Sequence, residues 1–404
     1  MKKAILLTGG YATRLFPISI LRPKALLPVA GKPVIQYLIE MLKQAGITEI
    51  IIGLNTNQKN IESFFGNGNK FGVNIAYCYE ETTSDSNKLG GLGAINYVIE
   101  KMKVKEECLI LGGDNFVYGL DLKKMKHDHH ASIALYTLNN INLVEQFGIA
   151  VVDSKGKITS FQEKPRVEEA KSNLASTLIY RFSQEFVNKH LPEYVKEKKS
   201  KGEKPDKPGD LWQHYVQKIP LQGVVFQGLW GDIGTAETYI ETNKLAMNLI
   251  VRDKNTSKNK GITSGAGISI AEGAEVKPGT IIKGPVIIEE GCVIEEESII
   301  GPYTHLMKNC KVGKKSMISG SIVFENCIIK EDVQIRDAVI DHDSIIGKHA
   351  RIDDYALIGN NCELEERTRL LSRSKLWPYL KTNKESVIEG AISMNFEKSV
   401  KLQK

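Results

Sequence analysis

Two glycines, two cations and two carboxylates have the types and spacing for phosphate chemistry. Gly9-Gly10 closes a short apolar run, Ala4 to Leu7, and is followed by Thr13-Arg14 and then by Pro23-Lys24. A buried strand that stops at glycines is how open α/β sheets present backbone N–H groups to phosphate. Arg14 and Lys24 add two fixed cations downstream of that turn, a set that suits a polyphosphate better than a neutral ligand. Asp114 follows a second apolar run, Cys108–Gly112, and a carboxylate just past a strand's C-terminal end faces the ligand crevice of such a sheet. Asp232 lies between Gly231 and Gly234 ahead of a helical stretch. Its plainest structural role there is a helix N-cap.

The elements that must position these residues alternate along the first 250 positions. Ala4–Thr8, Glu49–Leu54, Asn74–Tyr79 and Cys108–Gly112 read as strands. Pro33–Ala45, Asn60–Phe65, Ala94–Met102 and Thr235–Ile250 read as helices, the first opened by Pro33 and ended by Gly46. This βαβ order predicts a parallel sheet with helices on both faces. Lys196–Pro208 is Lys-rich and reads as a solvated loop, and Arg252–Gly265 as a linker.

After the linker the period changes to six. Ile270, Val276, Ile282, Ile288, Ile294, Ile300, Leu306, Val312, Ile318 and Phe324 recur at that spacing. The phase slips by one to Ile329 and Ile335, slips again to Ile340, and runs on to Leu376. Small residues such as Ala274, Thr280, Ser298 and Ala350 lie two positions earlier. A six-residue period fits neither an amphipathic helix nor a long strand. It predicts a parallel β-helix of about six coils, each turn closed by three hexads. Four of the six cysteines, Cys292, Cys310, Cys327 and Cys362, occupy the small position, and Cys78 and Cys108 lie in core strands. All six therefore read as buried small hydrophobes, without the CxxC spacing of a metal site or a disulfide framework.

Composition bounds the rest. A chain of 404 residues suggests two domains. The net charge of +6 suits anionic small substrates. No basic run is interleaved with aromatics, which argues against nucleic acid. The start MKKAILL runs into GGYATR with no small-residue cleavage site, which argues against a signal peptide. No apolar run reaches membrane length, so no membrane partner and a cytoplasmic location are expected.

The segments GGYATRLFP and RPKALLPVAGKP resemble the sugar-1-phosphate nucleotidylyltransferases, whose pattern is roughly GGxGTRLxPxT and PKxLLPVxxKP. One position departs: Ala12 stands where the family has glycine. A methyl there crowds the loop unless Ala12 keeps a negative φ. GGDN, EKP and GLWGD follow in the family's order. The resemblance implies a Rossmann-like nucleotidyltransferase domain at 1–250 with a mostly parallel sheet. A linker at 251–266, a left-handed parallel β-helix at 267–380 and a tail at 381–404 complete the α/β architecture. Its handedness comes from likeness to hexapeptide-repeat proteins.

The same resemblance implies the roles. Gly9, Gly10, Thr13, Arg14, Gly91 and Gly93 would bind the nucleotide. Gly148, Glu163, Lys164 and Asn173 would bind the sugar phosphate. Arg14, Lys24 and Asp114 would be catalytic, with Asp114 and Asp232 holding Mg²⁺. The reaction would join a nucleoside triphosphate and a sugar-1-phosphate and release pyrophosphate, with dTTP or UTP and glucose-1-phosphate as the favoured pair. Mannose-1-phosphate guanylyl transfer is the nearest alternative, since the β-helix and GGYATRLFP look more like guanylyltransferases or the long archaeal-type enzymes; TRLLSRSKLWPYLK resembles the terminal turn of both guanylyltransferase-like and long thymidylyltransferase-like members. A bifunctional enzyme with sugar-phosphate acetyl transfer on the β-helix, using His305, His342 or His349, is another. A non-catalytic regulatory subunit, as among translation-initiation exchange factors, ranks last because the cations and carboxylates all remain. The β-helix is expected to drive homo-oligomerisation. His127, His129 and His130 form KHDHH, whose spacing could suit a metal but fits a solvated helix end better.

Overall fold

The computed structural model describes residues 1–10, 12–81, 89–125, 129–251, 263–264 and 266–393. By contacts the chain forms two units. The first comprises Met1–Tyr11, Lys24–Leu26 and Val34–Trp230; the second comprises Ala12–Pro23, Leu27–Pro33 and Gly231–Lys404. The segment carrying Thr13 and Arg14, and the helix Ala236–Ile250, thus group by contacts with the C-terminal repeats. Residues 82–88 and most of the linker lie outside the described residues.

In the first unit the strands are β1 (Lys3–Leu7), β2 (Glu49–Asn55), β3 (Asn74–Glu80) and β4 (Cys108–Gly112). They are followed by β5 (Ala131–Thr137), β6 (Gly148–Val152), β7 (Ile158–Glu163), β8 (Leu174–Phe182) and β9 (Leu221–Phe226). β4, β1, β2 and β3 lie side by side and parallel, as the βαβ order predicts. The sheet as a whole is mixed, because β8 runs antiparallel to β4, β5 and β6, and β7 antiparallel to β6. β1 is buried on both faces. Ala4 and Leu6 pack in one core with Leu38, Leu42 and Ile61, and Ile5 packs in the other with Leu92, Ile95 and Tyr194. That double burial is why its sequence is a continuous apolar run.

Three helix readings shift. The first helix is Val34–Gln44, because Lys32–Pro33 pairs with Pro28–Val29 as a small ribbon. The helix expected at Ala94 starts at Gly91, so Gly91 and Gly93 form its first turn. Lys196–Pro208 is not one solvated loop: Leu191–Ser200 is helical and a further helix starts at Pro208. Between them, buried Pro205 accepts a hydrogen bond from Gly93 N at 3.0 Å.

The second unit contains the parallel β-helix, consistent with the expected left-handed form. Its short strands stack in three sheets of eight, eight and six. Coil pairs such as Ile282↔Ile300 and Ile294↔Val312 put the apolar hexad residues on one buried axis. Strands at Val387–Ile388 and Ala391–Ile392 extend it past 380. The first phase slip falls one hexad earlier than the sequence suggests. Leu306 pairs with Val323, which takes the axis position in place of Phe324.

The small position has a second use: its hydroxyl or thiol satisfies a carbonyl of the next coil. Ser298 Oγ donates to Gly313 O at 3.0 Å, Ser344 Oγ to Gly359 O at 3.0 Å, and Cys362 Sγ to Trp377 O at 3.0 Å. All six cysteines are free and buried. Corner residues such as Asn309, Asp332, Asp343 and Asn361 turn at φ between 54° and 60°. Asn and Asp tolerate that left-handed region best among side-chain-bearing residues.

Candidate active site

The glycine turn leaves the C-terminal end of β1 and is held by the next strand's end. Gln58 Nε2 donates to Thr8 O at 2.6 Å, and Asn55 Nδ2 to Gly9 O at 3.3 Å. Thr8 Oγ1 donates to Gly53 O at 2.9 Å. Asn55 and Gln58 are almost fully buried. Sequence reasoning missed both, although two amides directly after an apolar run are the available signal. Glu80, at the end of β3, is also buried, and burial raises its carboxyl above the usual range. A Cβ on Gly9 would lie 3.6 Å from its Oε1.

Asp114 follows the adjacent strand. Leu7 pairs with Gly112, and Gly113 N donates to Leu7 O at 2.8 Å, so the glycine turn and Asp114 leave neighbouring strand ends. A Cβ on Gly113 would approach Thr8 Cγ2 to 2.5 Å, which explains the glycine there. Lys24 Nζ lies 2.7 Å from Asp114 Oδ2. Asn115 Nδ2 donates to Asp114 Oδ1 at 3.1 Å, while Asn115 Oδ1 accepts from Trp230 Nε1 at 2.9 Å. Trp230 thus orients the Asn115 amide, and Asn115 in turn holds the Asp114 carboxylate.

A cavity of about 280 Å³ opens between β6, β7 and β8. Gly148, Glu163, Lys164, Tyr180 and Gly209 line it. Gly148 pairs with Glu163 across β6 and β7. A Cβ on Gly209 would fall 1.8 Å from Glu163 Oε2, and one on Gly148 would fall 3.1 Å from it. Both glycines therefore make room for this carboxylate. Burial raises the Glu163 carboxyl above its ordinary value, with Lys164 opposing and Asp210 adding to the effect. Burial also pushes the Tyr180 phenol up to about 12. β8 bulges between Ser176 and Tyr180, and Leu178 there takes φ +54°. Ser176 Oγ and Tyr180 Oη are 3.1 Å apart on this bulge. Gly209 carries no motif, whereas Ser176 and Tyr180 lie in SNLASTLIYRF, which resembles a sugar-pocket strand of the family.

Three expected ligand residues also make hydrogen bonds within the chain. Asn173 is not part of the cavity lining, and its Nδ2 donates to Leu138 O at 3.0 Å, closing the end of β8. Gly91 N donates to Asp206 Oδ1 at 2.8 Å, and Gly93 N to Pro205 O at 3.0 Å. Close approach of the 205–206 turn is the structural reason for Gly91, whose Cβ would meet Asp206 O at 2.8 Å.

Within the second unit, Ala12 precedes a short helical turn, Thr13–Leu15. Its φ is +50° and ψ 35°, so it does not keep the negative φ that would free it of cost; it adopts the region where glycine is favoured. Ser19 Oγ and Leu15 N both donate to Ala12 O at 2.9 Å and hold it there. Arg14 and Asp232 meet at Gly234: a Cβ there would lie 3.1 Å from Arg14 Nη2 and 2.6 Å from Asp232 Oδ2. Asp232 is not the helix N-cap. That is Thr235, whose Oγ1 accepts from Thr238 N at 3.2 Å.

The repeats grip this loop. Lys375 Nζ donates to Arg14 O at 2.8 Å. Arg22 reaches Glu325 at 2.9 Å, and its guanidinium carbon lies 4.7 Å from the Phe324 ring centroid. Phe324 has left the axis to serve that contact.

A glycine turn and a cation–carboxylate pair on adjacent strand ends form the arrangement α/β proteins use for phosphorylated ligands. Comparison with known proteins agrees. Residues 3–248 match the nucleotidyl transferase family model, and residues 282–392 match the GMPPB C-terminal domain. The chain belongs to the nucleotidyl transferase family. It is 32% identical over 246 residues to the UTP–glucose-1-phosphate uridylyltransferase of Synechocystis, covering 59% of this chain and 61% of that protein. It is 32% identical over 320 residues to the bifunctional protein GlmU of Methanocaldococcus jannaschii, covering 79% of this chain and 72% of that one. A solved structure of a putative glucose-1-phosphate thymidylyltransferase from Bacillus anthracis superposes with a TM-score of 0.52 at 29% identity. It covers 63% of this chain and 97% of its own.

Proposed function

We propose that the protein transfers a nucleotidyl group from a nucleoside triphosphate to a sugar-1-phosphate. A sugar-phosphate oxygen attacks the α-phosphorus, the bond between that phosphorus and the bridging oxygen breaks, and pyrophosphate leaves. One phosphorus–oxygen bond forms and one breaks, so no enzyme nucleophile is required. The observation that carries this reading is the Lys24–Asp114 pair at 2.7 Å beside the Gly9-Gly10 turn. Lys24 would neutralise the α-phosphate and Arg14 the leaving pyrophosphate, so catalysis is positioning and charge stabilisation. Glu163 would accept hydrogen bonds from sugar hydroxyls in the cavity, with Lys164 toward the sugar phosphate.

Asp114 and Asp232 would hold Mg²⁺. Their hard carboxylate oxygens fit that ion, which binds through one or two carboxylates plus substrate phosphates. When bound it would supply charge neutralisation at the phosphates. We favour dTTP or UTP with glucose-1-phosphate, supported by the names of the uridylyl- and thymidylyltransferase relatives. The β-helix would assemble copies of the chain. No helix among the described residues is long and apolar enough to cross a membrane, and a cytoplasmic site of action is our reading.

A second reading, acyl transfer on the β-helix, has one supporting observation. His342 Nδ1 lies 2.8 Å from the buried Asp341 carboxylate, which raises the imidazole's pKa and orients it. His305 is fully buried against Glu289, which makes it a poor base for an external substrate. Pyrophosphate release across nucleotides and hexose-1-phosphates tests the first reading, and thiol release from acetyl-CoA with amino-sugar phosphates tests the second.

A further inference from the structure

His130 belongs to the KHDHH segment that the nucleotidyl-transfer reading does not use. It immediately precedes β5, and its carbonyl accepts from Ser183 N at 3.0 Å just past the end of β8. Phe182 pairs with Cys108, the first residue of β4. The cluster therefore occupies the edge of the sheet opposite the one that carries Gly112 and Asp114.

Beyond β8 the chain forms a π-helical turn, Phe186–His190, in which Leu191 N donates to Phe186 O. In an α-helix, residues five apart diverge around the axis. A π turn, with its i→i+5 bonding, stacks them. Glu185 and His190 are five apart and share a face. Glu185 Oε2 lies 3.4 Å from His130 Nδ1, and its Oε1 lies 3.6 Å from His190 Nε2. The potential ligand atoms of all three lie within 4.8 Å of one another, the one such cluster among the described residues.

An independent observation points to a ligand. The His190 side chain is only 9% exposed. Its Nε2 is buried with no hydrogen-bond partner, although it is directed at the Glu185 carboxylate. An imidazole nitrogen left this way is out of place in a packed protein unless something completes it.

We propose that His130, Glu185 and His190 bind a divalent transition-metal ion of the zinc class. Two imidazoles and one carboxylate are a common three-ligand set for zinc, with water in the fourth position. Tetrahedral bonds of about 2.0–2.2 Å place ligand atoms roughly 3.3–3.6 Å apart, so atoms already within 4.8 Å of one another need only side-chain rotation to close on one ion, with a single Glu185 oxygen facing both imidazoles. The site faces a surface depression of about 1050 Å³, which gives the ion a route in. Lys189 Nζ lies 3.7 Å from Glu185 Oε1 and would swing away; its side chain is exposed. Arg181, on the same depression, is engaged by Glu107 at 2.7 Å. An ion here would pin the start of β5 to the helix that follows β8, a stabilising role remote from Asp114.

The test uses untagged full-length protein, stripped with chelator and held in excess Mg²⁺ to fill oxygen-donor sites. Zn²⁺ is titrated by calorimetry and Co²⁺ by its visible absorption. The expected result is one saturable equivalent, a tetrahedral Co²⁺ spectrum and a rise in melting temperature with Zn²⁺. Glu185→Gln and His130→Asn alter partly exposed side chains and should preserve the fold. Each should weaken the affinity by at least about ten-fold. No saturable equivalent, or unchanged binding in both variants, would overturn the proposal.

Discussion

Replacing Arg22 with alanine should impair nucleotide handling although Arg22 stands just ahead of the PKxLLPVxxKP pattern. Its side chain is the clasp between the loop carrying Thr13-Arg14 and the repeats: 2.9 Å from Glu325 and 4.7 Å above the Phe324 ring. Both charged side chains are about three-quarters buried. An ion pair of this kind is worth about 1 kcal/mol and a partly desolvated cation–π contact about 1 kcal/mol. Losing both removes about 2 kcal/mol from the held loop, or roughly a 30-fold change in its population. Lys375, bonded to Arg14 O, keeps part of the grip, so about 30-fold is an upper bound on the fall in kcat/KM. Amide hydrogen exchange of residues 12–23 reads the loop opening, and pyrophosphate release reads its consequence. A double-mutant cycle of Arg22→Ala with Glu325→Gln should give a coupling of about 0.5–1 kcal/mol. Coupling within error of zero, together with unchanged exchange and kinetics, would refute the idea that the β-helix holds the loop.

Three further outcomes follow from the same geometry. Gly209→Ala should push the Glu163 carboxylate out of place and cut kcat/KM for the sugar phosphate by about 10- to 100-fold, with KM for the nucleotide unchanged. Equal loss for both substrates would count against a sugar cavity at this place. Glu163→Gln bears on pH. The folded carboxyl is raised, so its contribution to stability is full below the unfolded value and is lost as pH rises through the folded one. The variant should therefore melt higher than the parent at neutral pH and equally at acid pH, while binding sugar phosphate more weakly; a pH-independent difference would contradict the assignment. Ala12→Val should cost about 1–3 kcal/mol in the loop at φ +50° and lower turnover, whereas Ala12→Gly should leave turnover equal or higher. Comparable turnover for both would mean that the left-handed conformation is not used in catalysis.

Much of this arrangement is legible in the residues. β1 and β4 announce themselves as apolar runs because a doubly covered sheet buries both faces. The hexads are legible because each large apolar residue must point at one narrow axis. Other features are hidden where tertiary contacts decide. β8 runs antiparallel to β4, and no local pattern records the direction of a strand buried on both faces. The slip at Val323 is masked by Phe324, an equally apolar neighbour that packs under Arg22 instead. The helix start at Gly91 is hidden because glycine is a poor helix former and is placed there by the approach of Asp206. Asn173 has a structural use that no local pattern records: its amide closes a strand end.

Pyrophosphate release is the most direct test of the central claim. The purified protein with Mg²⁺ is assayed across nucleoside triphosphates and hexose-1-phosphates, alongside Asp114→Ala and Asp232→Ala. The account predicts release with one preferred pair, lost in both variants. No release with any pair, or release that survives both substitutions, would contradict it.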